Sequence, residues 1–225
     1  MLVVPSYLLR VQLEDRPGSL GSLAVALGSA GADILSLDVV DRGSGYAIDD
    51  LVVELPAGSP PDVLITAAER LPGVRVDSLR PHTGLLEAHR ELELIDHIAA
   101  ERGKLAKLRA LAEEAPRVLR VGWCAVVHRD ETETAGYRRI AGSPGVPETN
   151  PASAPWLPLD QAAVLAGDAD WVPPVWQDMG TTLMAAPLGE PHTAVLLGRP
   201  GGPEFRPSEV ARLGYLAGIV ATLLG

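Results

Sequence analysis

Between Tyr7 and Ala30 the hydrophobic pattern changes period across a single Pro-Gly turn, and that change dictates a strand followed directly by a helix. From Tyr7 to Leu13 apolar residues recur at a spacing of two. From Ser19 onward Leu20, Leu23, Ala24, Leu27 and Ala30 recur at helical spacing. Pro17 presets φ for a turn position, and Gly18 supplies a positive φ without steric cost. The amides of Ser19, Leu20 and Gly21 are therefore expected to be unpaired at the helix start and to face whatever docks there. The helix dipole adds about 0.3–1 kcal/mol for a negative charge, which orients a carboxylate without binding it tightly.

The pattern continues in the same vein. Gly31 is a natural residue to end the helix, and Asp33 to Asp41 resumes a period of two. Strict alternation there places Ile34, Ser36, Asp38 and Val40 on one face and Leu35, Leu37 and Val39 on the other. Arg42-Gly43-Ser44-Gly45 has the composition of a hairpin turn, so Tyr46 to Leu55 returns antiparallel. After a Pro56–Pro61 loop, Asp62 to Leu71 carries Val63, Leu64, Ala67, Ala68 and Leu71 as a second amphipathic helix. Pro72-Gly73 ends it, and Val74 to Leu79 forms a fourth strand. The expected order is βαββαβ, the split βαβ of ferredoxin-like domains, with both helices on one face of a four-stranded antiparallel sheet.

Composition bounds the rest. A chain of 225 residues that is 47% hydrophobic can bury one large core or two small ones, and two domains are expected. A net charge of −10 disfavours a nucleic-acid partner. Cys124 is the only cysteine, which excludes an internal disulfide and a cysteine-rich zinc site and suits a reducing cytoplasm. Met1 to Pro5 is too short for a signal h-region, and no apolar run approaches the roughly 18 residues of a membrane span. The expectation is a soluble, cytoplasmic protein with no membrane partner. The scarcity of lysine beside abundant arginine, alanine, glycine and proline points to a GC-rich genome and not to a function.

Pro81-His82-Thr83-Gly84 marks a boundary, and Leu85 to Glu114 is helix-forming, with Gly103 as an interruption. Its apolar stripe, including Leu92, Ile95, Leu105 and Leu108, must be covered and suits a bundle or dimer seam. His89, Glu93 and His97 lie four apart, but the outer two are about 12 Å apart along a helix axis. Only neighbouring pairs could share a metal ion, and a solvated polar face is the favoured reading. Arg117 to His128 reads as a buried strand, Tyr137 to Ala141 as its hairpin partner, and residues 142–158 as loop. Leu159 to Ala166 is expected to be a short helix. Thr181 to Leu188 and His192 to Arg199 read as strands, and Pro207 opens a closing helix with Val210, Leu213, Leu216, Val220 and Leu223 inward. Trp156, Trp171 and Trp176 either line a small apolar pocket or, more in keeping with a domain poor in aromatics, form its core.

Asp15-Arg16-Pro17-Gly18-Ser19-Leu20, followed by Gly31-Ala32-Asp33-Ile34, resembles the ACT domain, a family that senses amino acids in metabolic enzymes and regulators. The resemblance covers about residues 5–82. It implies a ligand site at an interface between two such domains, lined by Asp15, Gly18, Ser19 and Leu20 from the turn and by Asp33, Ile34 and Leu35 from the second strand. A zwitterion fits this arrangement, its carboxylate on the helix-start amides and its ammonium on Asp15 and Asp33. Amino-acid-binding members often place amides where this chain has those two aspartates. The pair suits a basic amino acid, or simply caps turns, and Asp15 alone has the sequence of a local Asx-type cap.

Leu183-Met184-Ala185-Ala186-Pro187-Leu188, then Ala194-Val195-Leu196-Leu197-Gly198, then Glu204-Phe205-Arg206-Pro207-Ser208-Glu209, is similar to the end of a GAF domain, over about residues 88–225. That likeness implies a central antiparallel sheet, flanking helices that pair between subunits and a cavity that in some members holds cyclic nucleotides, haem or bilins; the cyclic-nucleotide motif is not present. Cys124 reads as a small core residue. Together the two resemble an actinobacterial-type ACT domain-containing regulatory protein of α+β class. Its divisions are an ACT domain at 1–82, a linker helix at 83–114 and a GAF-like domain at 115–225. A nucleophile with its base, a cofactor loop and a metal motif are not legible, so the expected function is amino-acid-binding regulation by a homodimer without catalytic activity, cofactor or metal, passing its response to another protein. The alternatives are a structural dimerisation or scaffold protein, and a small-molecule sensor using the GAF-like cavity.

Overall fold

In strand β1 (Ser6–Glu14) the side chains of Leu9, Val11 and Leu13 are buried, so that face of its sheet requires cover. Helices α1 (Ser19–Ser29) and α2 (Asp62–Glu69) supply it with Leu23, Leu27, Leu64, Ala67 and Ala68. These elements come from a computed structural model that describes residues 5–43, 45–82, 90–129 and 136–225. The chain divides into two units, Met1–Leu86 and Glu87–Gly225.

The first unit is completed by β2 (Asp33–Gly43), β3 (Tyr46–Glu54) and β4 (Arg75–His82). Its antiparallel sheet has the order β2-β3-β1-β4, which leaves β2 and β4 at the edges. Helix α1 ends where Gly31 takes φ +85°: the Ala32 amide reaches back to the Leu27 carbonyl and the Gly31 amide to that of Gly28. This is a Schellman ending, which satisfies two carbonyls the helix itself cannot.

Strict alternation fails in β2. The pairing with β3 steps from Ile34–Val53 to Ser36–Val52, and again from Val39–Asp49 to Asp41–Ile48. Leu35 and Val40 are thus the extra residues of two bulges, and each reverses the alternation that follows it. Ile34, Leu37 and Val39 consequently share the helix-covered face, while Ser36 and Asp38 take the other.

On the face opposite the helices, Arg10 and Asp50 are direct cross-strand partners. The Arg10 Nε and Nη2 donate to the two Asp50 carboxylate oxygens at 2.7 and 2.9 Å, with both side chains buried. Removing Asp50 takes two charge-assisted hydrogen bonds from a buried guanidinium. Asp50→Ala should therefore destabilise the first unit by about 1.5–3 kcal/mol in denaturant unfolding.

In the second unit the expected interruption at Gly103 divides the helical stretch into α3 (Arg90–Ala100) and α4 (Lys104–Leu119), with Gly103 at φ +88°. Helix α4 continues through Pro116, so the strand expected from Arg117 starts only at Trp123. Val118 and Leu119 join Leu108, Leu111 and Ala115 in one core, a stripe that helical spacing accommodates as well as alternation does. The left-handed Arg120, φ 56°, ends the helix and lets the Val121 amide bond the Pro116 carbonyl.

The sheet that follows contains β5 (Trp123–His128), β6 (Arg138–Gly142), β7 (Ala163–Leu165), β8 (Thr182–Leu188) and β9 (Glu190–Arg199), with a short α5 (Pro174–Asp178) before β8. Its order is β6-β5-β9-β8-β7, antiparallel throughout. The helix expected over Leu159–Ala166 is instead loop and β7. Strand β8 is paired with β9 on one side, and β7 satisfies the backbone groups of its other edge. Helices α3, α4 and α6 (Pro207–Leu224) cover one sheet face, and an irregular tryptophan-containing segment covers the other. The chain is thus a mixed α+β protein with antiparallel sheets.

The polar face of α3 is engaged with α4. His97 Nδ1 meets Glu114 Oε1, and Glu93 lies 4.0 Å from Arg117; His89 falls outside the described residues. The hydrogen bond and charge of Glu114 raise the His97 pKa above its ordinary value of 6.5. A raised histidine favours the folded state below the unfolded pKa, and that contribution fades as pH rises through the folded one. An NMR titration should place the His97 midpoint above 6.5, and Glu114→Gln should lower it.

Candidate functional site

The β1–α1 junction is built by backbone bonds. The Asp15 amide donates to the Gly45 carbonyl at 3.1 Å, holding the junction beside the start of β3. Gly18 takes φ +93° and caps α1, and the Ser22 amide and hydroxyl both donate to its carbonyl, at 2.9 and 3.0 Å. The Ser19 amide, expected to be unpaired, donates to the Arg16 carbonyl at 3.2 Å. The turn closes on itself there, which leaves Leu20 and Gly21 as the first-turn amides without an intrahelical acceptor.

Beside this junction is a pocket of about 360 Å³. Arg16, Gly18, Ser19 and Ser22 form one wall, and Leu71, Pro72 and Val74 of the α2–β4 turn form the other. The exposed Arg16 guanidinium is 3.0 Å from Glu14, which also lines it. Of the expected ligand contacts, Gly18 and Ser19 line this pocket. Asp15 is exposed outside it, and Leu20 packs against the first unit's core.

Asp33, Ile34 and Leu35 lie elsewhere. Asp33 is exposed opposite Glu54, which pairs with Ser6 at the start of β1. Asp15 follows Glu14, the far end of that nine-residue strand, so roughly 27 Å separates the two ends within one chain. Ile34 packs against the core, while the bulged Leu35 is 41% exposed. One chain therefore does not bring the two halves of the expected site together.

Sequence reasoning passed over Asp49. This residue lies in the apolar run of β3, is 3% exposed, and its Oδ1 has no hydrogen-bond partner among the described residues. Burial raises its pKa; Arg42 opposes this, and the charges of Asp15 and Asp50 reinforce it. Its one signal in the sequence was a carboxylate pair amid Ile48, Leu51, Val52 and Val53.

In the second unit, Trp176 is buried against Trp123 with ring centroids 4.8 Å apart, and Trp156 and Trp171 pack on the same core. The tryptophans are core. Cys124 is fully buried, and burial pushes its thiol pKa up, away from the reactive thiolate. A wider groove of about 880 Å³ lies between α6, β7–β8 and residues 159–162. Among the described residues no group of three or more His, Cys, Asp or Glu is placed to hold a metal ion, and no helix is long and apolar enough to cross a membrane.

No family model matches the sequence. An NAD-dependent malic enzyme from Geobacillus stearothermophilus is 27% identical over 85 residues, which is 38% of this chain and 18% of that enzyme. Among solved structures, the GAF domain of a phosphoenolpyruvate-protein phosphotransferase from Coxiella burnetii is 14% identical, covering 61% of this chain and 94% of that one, with a TM-score of 0.46. The corresponding Acinetobacter domain is 10% identical, with coverages of 62% and 96% and a TM-score of 0.44. The chromophore-binding domain of Stigmatella aurantiaca phytochrome P1 is 12% identical over 99% of this chain and 95% of its own, with a TM-score of 0.44.

A side chain at Gly18 meets nothing within 4 Å, so its substitution should cost only backbone strain. Gly18→Ala should lower stability by about 1–2 kcal/mol in denaturant unfolding, and Gly18→Asn by less, because asparagine tolerates the left-handed region.

Proposed function

We propose that this chain is a regulatory protein without catalytic activity, whose first unit is an ACT-type domain that binds an amino acid between two copies and whose second unit is a GAF-like domain that passes on the change. The observation that carries this reading is the place of β2 at the edge of the first sheet among the described residues. Two copies joined antiparallel along that edge put the Asp33 end of one strand beside the Gly43 end of the other. The Asp15–Ser19 junction stands next to that second end through the Asp15–Gly45 bond. Asp33 and Leu35 of one copy then meet Asp15, Gly18 and Ser19 of its partner, and the ligand's ammonium and carboxylate are held from opposite sides.

The edge has the surface such pairing needs. Val39 and Leu35 on β2 are 47% and 41% exposed, and Val25 on the neighbouring α1 is 70% exposed. An uncovered edge with apolar side chains is a template for another strand. A ligand that binds one dimer arrangement tenfold more tightly than another supplies about 1.4 kcal/mol, enough to bias a near-balanced equilibrium.

Calorimetry against the twenty amino acids, paired with sedimentation, tests this. The expected result is heat with at least one of them, a dimer, and at least tenfold weaker binding in Asp33→Ala with the fold intact. A dimer that gives no heat with any amino acid reduces the first unit to an assembly module. A monomer unaffected by all of them removes the proposal.

A further inference from the structure

Helix α6 carries Gly214 and Gly218 in its interior, where glycine is less stable than alanine. Gly214 is explained by packing, since a Cβ there would come within 3.3 Å of Ala162. Gly218 has no such reason: a Cβ would meet nothing within 4 Å, and its φ is not positive. Gly218 lines the groove of about 880 Å³. Its walls are apolar, formed by Leu159, Val164, Pro187, Phe205, Val210 and Tyr215. Val164 and Tyr215 are 52% and 77% exposed, a large apolar surface to leave toward water.

The charged residues that line the groove are Asp160 and Glu190, both acidic. Lys104 approaches Glu190 at 3.9 Å from α4, whereas Asp160 has no ion-pair partner among the described residues. A volume of this size suits a small organic ligand, and apolar walls with a few placed polar groups are the usual composition of such sites. The tryptophan core fills the opposite face of the same sheet, and Leu159 of the groove wall packs against it.

We infer that the α6 groove binds a small amphiphilic amine, with its apolar body laid across Gly218 and its cationic head at Asp160. Complementarity of charge selects the occupant: a fatty acid or other anionic amphiphile would bring like charge to Asp160 and Glu190, and an uncharged one would gain nothing from the exposed Asp160 carboxylate. The inference stands independently of amino-acid binding by the first unit.

The test uses the full chain with decylamine, decanol and decanoate below their aggregation limits, read by calorimetry and by the Gly218 amide in NMR. Decylamine should bind and shift that amide, decanol should bind at least tenfold more weakly, and decanoate more weakly still. Gly218→Ala should raise the melting temperature, and Gly218→Leu should abolish binding. Asp160→Asn should erase the preference for amine over alcohol while decanol binding persists. Equal binding of decanoate, or decylamine binding that survives Gly218→Leu in a folded protein, would overturn the inference. So would a dimer that Gly218→Leu dissociates while no amine binds the wild type, which would assign the groove to a second copy.

Discussion

An apolar sheet face is stable only when something covers it, and in both units amphipathic helices cover one face. In the first, α1 and α2 lie over Leu9, Val11, Leu51 and Val53. In the second, α4 and α6 lie over Cys124, Val126, Met184 and Leu197. The connections this demands place the β1–α1 junction at one end of the first sheet. They also leave β2 at the edge of the sheet among the described residues. The proposed site rests on those two consequences: the junction offers amides, and the edge is where a second copy is proposed to join.

Most elements were legible because each has a single clear period. The split between period two and helical spacing located β1, α1, β3 and α2 within a few residues. Bulges have no such signature: Leu35 and Val40 look like ordinary members of an alternating strand, and only the pairing with β3 reveals the extra residues. Val118 and Leu119 satisfy both periods, so helix and strand could not be separated there. Strand β7 is three residues long and takes its conformation from the neighbouring edge of β8, which is tertiary information.

The site was legible in part. A proline followed by glycine announces a left-handed helix cap, and Gly18 adopts it. That the Ser19 amide is used up within the turn, or that Leu71 and Pro72 close the pocket beside it, depends on how α2 and β4 return to the junction. Spacing along the chain is silent on such contacts. Asp49 was hidden for a related reason, since a carboxylate in an apolar strand reads as the polar half of an alternation until the pleat is known to turn it under the helices.

Two copies proposed to join along β2 would unite ends that one chain keeps apart. Electron–electron resonance distances on a mixed dimer, one copy labelled at position 33 and its partner at position 16, measure this directly. Joining along β2 places the two labels well below the roughly 27 Å spanned by β1 within one chain. A separation equal to or greater than that would contradict it.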